Sequence, residues 1–435
     1  MASQNPVSIF WFRRDLRLLD NKGLYHALGK SKNVIPLFIF DTEIIDSLPE
    51  NDARVEFIYD QVKKMQNELQ KKHRSMVVVK GNPLSVFKKL VEKYPVKAVY
   101  CNKDHEPYGI ERDEKVRKFL ESKNIEFHSW LDHLLFDKED VLKNDGKPYH
   151  VFTPYGKKCR EVLTEAHLKN YPSGDLLAQL HHPLDTKFPD LEELGFKPSG
   201  IEFPEKESND AIIESYHKTR DFPAKNGTTR LGVHLRFGTI SIRQLAQKAL
   251  KNNDTYFNEL IWREFYAMIL WHYPHVVNKS FKPQYDGIEW LNNKEHFELW
   301  KKGKTGYPMV DAGMRQLAQT GYMHNRVRMV TASFLTKHLL IDWRWGEAWF
   351  AEKLLDYELS SNNGGWQWSA GSGCDAAPYF RIFNPTEQLK KFDPKGTYTK
   401  NWVPELDSIK YPDPIVDHKF ARQRCLEVFK KALNG

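Results

Sequence analysis

Short apolar runs alternate with amphipathic stretches along the first third of the chain. Val7–Phe12 and Val34–Phe40 are apolar almost throughout, Met76–Val79 and Ala98–Tyr100 follow, and Phe127–Trp130 supplies a fifth run. Such runs mark strands covered on both faces. Between them Glu56–Lys72 repeats apolar Phe57, Ile58, Val62, Met65 and Leu69 at helical spacing, and Pro83–Lys93 and Glu111–Lys123 also read as helices. Strands and helices in alternation, joined by right-handed crossovers, predict a doubly wound, Rossmann-like parallel sheet over residues 1–132.

The pattern then changes. Residues 133–205 are crowded with Pro, Gly and His (KPYHVFTPYG, YPSGD, HHPLD, KPSG) and read as a long linker over the surface. Over residues 206–435 helical periodicity takes over: Asp210–Tyr216, Ser241–Lys251, Tyr256–Tyr273, Lys294–Lys301, Val310–Thr320, Arg326–Leu340 and Trp345–Leu355. The expected architecture is α/β plus all-α, with no repeat of fixed period.

Composition narrows the classes. A chain of 435 residues can bury two or three cores. The excess of 65 Lys+Arg over 57 Asp+Glu is modest, and together with 12 Trp, 19 Tyr and 26 Phe it hints at a polyanionic or aromatic ligand. Cys101, Cys159, Cys374 and Cys425 form no C-x-x-C pair, so neither a disulfide scaffold nor a zinc or iron–sulfur site is expected, and no metal. The apolar run at the start is short and is followed by Arg13 and Arg14, which does not fit a secretory signal; no long uncharged apolar stretch occurs either. A cytoplasmic protein without membrane association is expected. The α/β half has neither G-x-G-x-x-G nor a Walker A motif, which disfavours a dehydrogenase.

Chemistry concentrates in four segments of the helical half. NGTTRLG (Asn226–Gly232) offers two hydroxyls, an Arg and backbone donors, which suits either a phosphate or a polar loop capping the next helix. NELIWREFY places Glu259, Trp262, Arg263 and Tyr266 on one helix face. That face suits a pocket that stacks on a flat ligand and bonds its carbonyl edge; the alternative is an exposed Glu–Arg pair with partly buried rings. MHNRVRM puts Asn325, Arg328 and Met329 on one face, a plain amphipathic helix being the alternative. In DYELSSNNGGWQW, paired asparagines, glycines and tryptophans imply close backbone approach beside large rings.

These segments resemble the photolyase/cryptochrome family of flavin-dependent blue-light proteins. FWFRRDLRLLDN, NELIWREFY, KTGYPMVDAGMRQL, MHNRVRM, LIDWR, NNGGWQW and PYFRIFNP match in order across nearly the whole chain. The pattern is most similar to bacterial class I cyclobutane pyrimidine dimer (CPD) DNA photolyases. The resemblance implies an N-terminal antenna domain and a C-terminal helical domain that binds FAD, active as FADH⁻, and DNA. Its phosphate-binding loop corresponds to Thr228, Thr229, Arg230, Leu231 and Gly232, with Tyr216 upstream. Arg328 and Asp356 correspond to the ion pair beside the flavin, Asp356 and Glu358 to contacts with the ribityl and ring edges, and Asn362 to the amide facing N5.

The same resemblance implies that a dimer is flipped out of the duplex, walled by Trp262 and Trp368, packed by Met329 and hydrogen-bonded by Glu259 and Asn325. Light-driven electron transfer from FADH⁻ then opens the cyclobutane ring and the electron returns. Arg326, Lys390 and Lys391 correspond to phosphate contacts, and Trp366, Trp343 and Trp290 to an electron-hopping chain. The histidines of (6-4) photolyases are replaced here by Asn325 and Met329, and the chain runs only some 50 residues past Pro385, without the tail usual in signalling cryptochromes. Family members usually act as monomers and border an antenna chromophore. Where folate-binding relatives carry an acidic and a basic residue this chain has Gly109 and Val277, which leaves a deazaflavin, another flavin or no antenna.

Overall fold

The computed structural model describes residues 6–182, 187–207 and 209–434. The chain forms two compact units: residues 1–140, 162–206 and 231–248 make the first, and residues 141–161, 207–230 and 249–435 the second. Linear order and unit membership therefore differ. Of the stretch 133–205 read as linker, residues 162–182 and 187–205 group with the sheet, while residues 141–161 group with the helices.

In the first unit β1 (Val7–Phe12), β2 (Val34–Asp41), β3 (Val77–Gly81), β4 (Val96–Asn102) and β5 (Glu126–Trp130) form an all-parallel sheet in the order β3-β2-β1-β4-β5. All six residues of β1 are buried, as its unbroken apolar run requires. Pro36 stands inside central β2, where a missing N–H would ordinarily break a ladder. It pairs with Phe10 of β1, but pairing with β3 begins only at Leu37, so Pro36 precedes the doubly flanked part of the strand. The crossovers are α1 (Lys22–Lys30), α2 (Ala53–Gln70), α3 (Pro83–Lys93) and α4 (Pro107–Glu121). Sequence periodicity missed α1, whose apolar stripe spans barely two turns.

The charged motif after β1 serves this fold. Arg17 meets Asp132 at 2.5 Å, and Arg243 meets Asp132 and Asp20 at 2.9 Å each, all four side chains being at most 7% exposed. Burial alone would push the Asp132 carboxyl up; the two guanidinium groups pull it below the usual carboxylate range.

The second unit contains α5 (Phe152–Val162), α6 (Asp210–Thr219), α7 (Asp254–His272), α8 (Lys294–Lys301), α9 (Pro308–Thr320), α10 (Asn325–Ser333), α11 (Trp343–Lys353), α12 (Leu359–Ala370), α13 (Pro385–Phe392), α14 (Thr397–Trp402) and α15 (His418–Asn434). Its core gathers Trp300, Met309, Met314, Val327, Trp343, Phe350 and Trp366. The helix expected over 326–340 is interrupted: α10 ends at Ser333 and a wide π-type turn runs from Phe334 to His338. The Thr331 and Thr336 hydroxyls donate back to carbonyls a turn earlier, which loosens the helical ladder. Within this turn Lys337, 1% exposed, donates to the Ala370 carbonyl at 2.7 Å, and burial lowers its pKa to about 7. Among the described residues no helix is long and apolar enough to cross a membrane.

Replacing Asp132 by Ala leaves Arg17 and Arg243 buried without their shared acid, so urea unfolding should show a loss of about 3–5 kcal/mol. For Lys337 the sign is set by its lowered pKa. Between pH 7, where the folded group titrates, and about pH 10, where a free lysine does, the unfolded chain binds more protons. Stability should therefore rise with pH across that window, by no more than about 1.4 kcal/mol per unit, and Lys337→Met should flatten the rise.

Candidate active site

Helix α7 starts where Asn253 caps it by accepting from the Tyr256 N–H, with Asp254 in the first turn. Phe257, Ile261 and Phe265 turn into the core, which leaves Glu259, Trp262, Arg263 and Tyr266 on a half-buried face. Glu259 forms an ion pair with Arg220, the residue that closes α6. Burial pushes the Glu259 carboxyl up while Arg220 pulls it back. The Trp262 ring lies flat on Phe152, centroids 3.6 Å apart and planes 4° from parallel. Arg263 reaches Glu358 at 3.2 Å, with side chains only 10% and 5% exposed.

The NNGGWQW motif is not a turn but the middle of α12. Close backbone approach is nonetheless what its glycines provide: a methyl group at Gly364 would overlap the Tyr266 ring. Glu358 stands at the N-cap and accepts from the Ser361 hydroxyl at 2.9 Å. The Asn362 amide nitrogen donates to the Glu347 carbonyl at 3.1 Å and to its carboxyl at 2.8 Å. That arrangement spends the amide donors and leaves the Asn362 oxygen as an acceptor. Burial pushes the Glu347 carboxyl up, and the Asn362 hydrogen bond opposes it. One turn beyond Asn362, a Cβ on Gly365 would meet nothing within 4 Å. The row Glu358, Asn362, Gly365 thus opens on unfilled space bordered by charge and amide.

Arg328 on α10 holds Asp356 through both carboxylate oxygens, at 3.1 and 2.9 Å, and donates from Nε to the Met323 carbonyl at 2.7 Å. The α10 cap is His324, whose ring accepts from the Arg326 N–H; burial and Arg328 lower its pKa to about 4, so this histidine is neutral. Thr228 and Thr229 meet the Tyr322 and Tyr256 hydroxyls at 3.2 and 2.9 Å, and the Tyr216 ring packs edge-on to Tyr256. Arg230 lies over Tyr322 in a left-handed conformation, φ +54°, that a non-glycine residue adopts rarely. Leu231 and Gly232 lie in the first unit, where Gly232 opens the short helix Gly232–Phe237.

Of the expected DNA contacts, Asn325 is exposed at the start of α10, and Arg326 is tied to Asp221 at 2.6 Å with its guanidinium 4.3 Å above the Phe392 ring. Lys391 lies against the same ring, whereas Lys390 turns to Glu387 at 2.8 Å. Met329 is half-buried beside Arg328 on α10. Trp366 and Trp343 are buried in the helical core, and Trp290 packs half-buried at its edge against Phe429. Trp368 lines a crevice with Tyr266, Phe281, Gly364, Cys374 and Asp375.

Sequence patterning did not single out Arg220, Phe152, Glu347 or Tyr322 as site residues. Arg220 sits four residues past the predicted helix Asp210–Tyr216, and Phe152 and Glu347 carry no motif; only three-dimensional pairing reveals them. At Gly109 a Cβ would come within 2.6–2.8 Å of the Asp104 side chain, so an acidic residue there would displace Asp104. Near it Asp104, His105 and His133 bring ligand-type atoms within 4.8 Å of one another, but Asp104 is held by Arg14 at 3.1 Å and the two imidazoles bond each other at 2.7 Å.

The donor set fits a flavin dinucleotide. An open helix face carries an amide acceptor and an acid, two guanidinium groups flank it, and the threonines and Arg230 supply polar contacts of the kind a pyrophosphate needs. A family model described as DNA photolyase matches residues 8–173, and one described as the FAD binding domain of DNA photolyase matches residues 256–410. A deoxyribodipyrimidine photo-lyase of Synechococcus sp. is 38% identical over 97% of this chain and 96% of its own length. A bacterial class III photolyase from Agrobacterium tumefaciens superposes with a TM-score of 0.87 at 32% identity, with all of both chains covered. An archaeal photolyase from Sulfolobus tokodaii, whose crystal structure holds two FAD molecules, gives 0.85 at 36% identity over 98% of this chain and all of that one. With its site geometry and near-complete coverage by such relatives, the chain belongs to the DNA photolyase family.

Proposed function

We propose how the residues of this site divide the work of repair. The chain is an FAD-dependent photo-lyase that uses light to repair pyrimidine dimers in DNA. The residue assignment rests on one observation above others: the row Glu358, Asn362, Gly365 on α12 opens on unfilled space, with Arg263 paired to Glu358 beside it. Tyr216, Thr228, Thr229 and Arg230 would hold the phosphates of a bound FAD, Arg328 and Asp356 would flank its ring system, and Asn362 would face its N5 with the amide oxygen free to accept. Bound FAD, in reduced form, absorbs the light and supplies the electron that opens the cyclobutane ring.

A dimer inside duplex DNA is out of reach of a buried site and must be flipped out, which costs least where the bases are already poorly stacked. Trp262 and Trp368 wall the pocket and Met329 packs against the dimer. Glu259 and Asn325 bond its carbonyl and imide edges. Glu259 bonds the thymine oxygen on which charge develops; burial pushes its carboxyl up while Arg220 pulls it back. Arg326, Lys390 and Lys391 meet phosphates, so affinity falls with salt.

Trp366, Trp343 and Trp290 carry an electron inward to the flavin. In the shared core, the Trp300 indole N–H donates to the Thr331 carbonyl at 3.2 Å, whereas those of Trp343 and Trp366 are buried without an acceptor. The protein acts as a monomer in the cytoplasm; the Sulfolobus relative's second FAD makes a second flavin the antenna to test first here.

Illuminating the purified protein with CPD-containing DNA should restore the thymine absorbance band; dimers left intact by protein with bound, reduced flavin would assign the pocket to light sensing. Trp262→Ala and Trp368→Ala should each weaken binding to such DNA by about 5- to 150-fold, the range of one lost base stack, in a titration under red light. Trp366→Phe should abolish light-driven reduction of the oxidised flavin, followed by absorbance, while chemically reduced Trp366→Phe protein still splits dimers.

A further inference from the structure

We propose that Phe152 is a positioning residue for lesion recognition: it holds the Trp262 ring by covering one face, so that a flipped-out pyrimidine dimer stacks on the other. This rests on the reading of Trp262 as a wall of the lesion pocket. The two rings lie 3.6 Å apart and within 4° of parallel, while Phe265 and Tyr266 meet the same indole at 85° and 33°. Among the rings that meet the indole, Phe152 is therefore the flat partner, while Phe265 stands edge-on and Tyr266 tilted.

The Phe152 backbone is pinned as firmly as its ring. Its N–H, unsatisfied at the first position of α5, donates to the Asp375 carboxylate at 2.9 Å. Asp375 lies in the segment after α12 that lines the Trp368 crevice, so one hydrogen bond ties the support of the first wall to the loop behind the second. Along α5, Tyr155 packs on Phe265 with centroids 5.2 Å apart, and Arg160 reaches Asn258 and Asp254 at 2.8 and 2.7 Å. These contacts fix α5 in register against α7, and Phe152 cannot slide off the indole. The neighbouring Val151 is 46% exposed and both rings are half-buried, which puts the stack where DNA can reach it. An indole clamped before binding surrenders little rotamer freedom when a base arrives.

The test compares Phe152→Ala, Phe152→Leu and Phe152→Tyr with the wild type, using flavin-loaded protein, a CPD-containing duplex and its undamaged counterpart. Phe152→Ala should bind the lesion duplex about two- to tenfold more weakly, the scale of one side chain's immobilisation, with affinity for undamaged DNA and repair at saturation unchanged. Phe152→Tyr should restore lesion affinity. Phe152→Leu keeps the bulk without the flat face and should behave as Phe152→Ala does, which covers the case in which the alanine variant misfolds. Lesion affinity that is unchanged in both variants overturns the proposal, as does tighter binding, which would mean that Phe152 fills the dimer's own seat. A wild-type protein that repairs no dimers overturns the pocket reading and this proposal with it; normal repair with normal lesion binding by Phe152→Ala overturns the proposal alone.

Discussion

The contact between Gly364 and the ring of Tyr266 is the constraint on which the helical site depends. Any side chain at 364 would drive α7 and α12 apart, and these two helices carry most of the groups that matter. Their approach sets the Glu259–Trp262–Arg263 face beside the Glu358–Asn362 row and lets Arg263 reach Glu358. Adjacent glycines make α12 intrinsically weak, each costing roughly 0.5–1 kcal/mol against Ala in a helix interior. The helix is held at its ends instead. Glu358 places negative charge at its N-terminus, and Lys337 donates to the Ala370 carbonyl at its C-terminus, both with the sign the helix dipole favours.

Three of the ion pairs described at the site differ in exposure. Arg263–Glu358 is nearly dry at 10% and 5%, while Arg220–Glu259 stands at 30% and 29% and Arg328–Asp356 at 27% and 20%. Breaking a dry pair strands a charge at a cost of several kcal/mol, so Arg263 and Glu358 act as a fixed brace. The half-solvated pairs gain little from each other and can exchange partners when a ligand arrives. In the proposed reading, Glu259 exchanges Arg220 for a base edge.

The sheet was legible because strands buried on both faces write themselves as unbroken apolar runs, and β1 appears in the sequence with its true ends. Pro36 did not mislead, because the run around it was long. The short α1 and the helix α5 were hidden, the latter in a stretch whose Pro, Gly and His content suggests loop. In the helical half the polar face of α7 was readable from spacing alone. The α12 motif was half readable: its glycines signal close approach, but Asn, Gly and Trp have no helical preference, so only the packing of Tyr266 on Gly364 explains why they form a helix. Pairings across the chain, Glu259 with Arg220 or Trp262 with Phe152, leave no trace in any local pattern. The break after Ser333 coincides with threonine hydroxyls bonded back to the preceding turn and with a buried lysine, which periodicity does not weigh.

Trp366 and Trp368 show how one helix serves two tasks. Two residues advance the helix by about 200°, so the two indoles emerge on opposite sides. Trp366 is 2% exposed among Phe350 and Trp300, while Trp368 faces the crevice beside Tyr266. A methyl group at Gly346 would overlap the Trp366 ring, so α11 too gives up a side chain to seat it. The open row at Asn362 and Gly365 lies between these flanks. In the proposed reading α12 is thus a partition: oxidisable rings packed dry on one flank, the lesion wall on the other, and the cofactor on the face between. In that reading, electrons supplied through the core and electrons delivered to DNA meet at a single helix face.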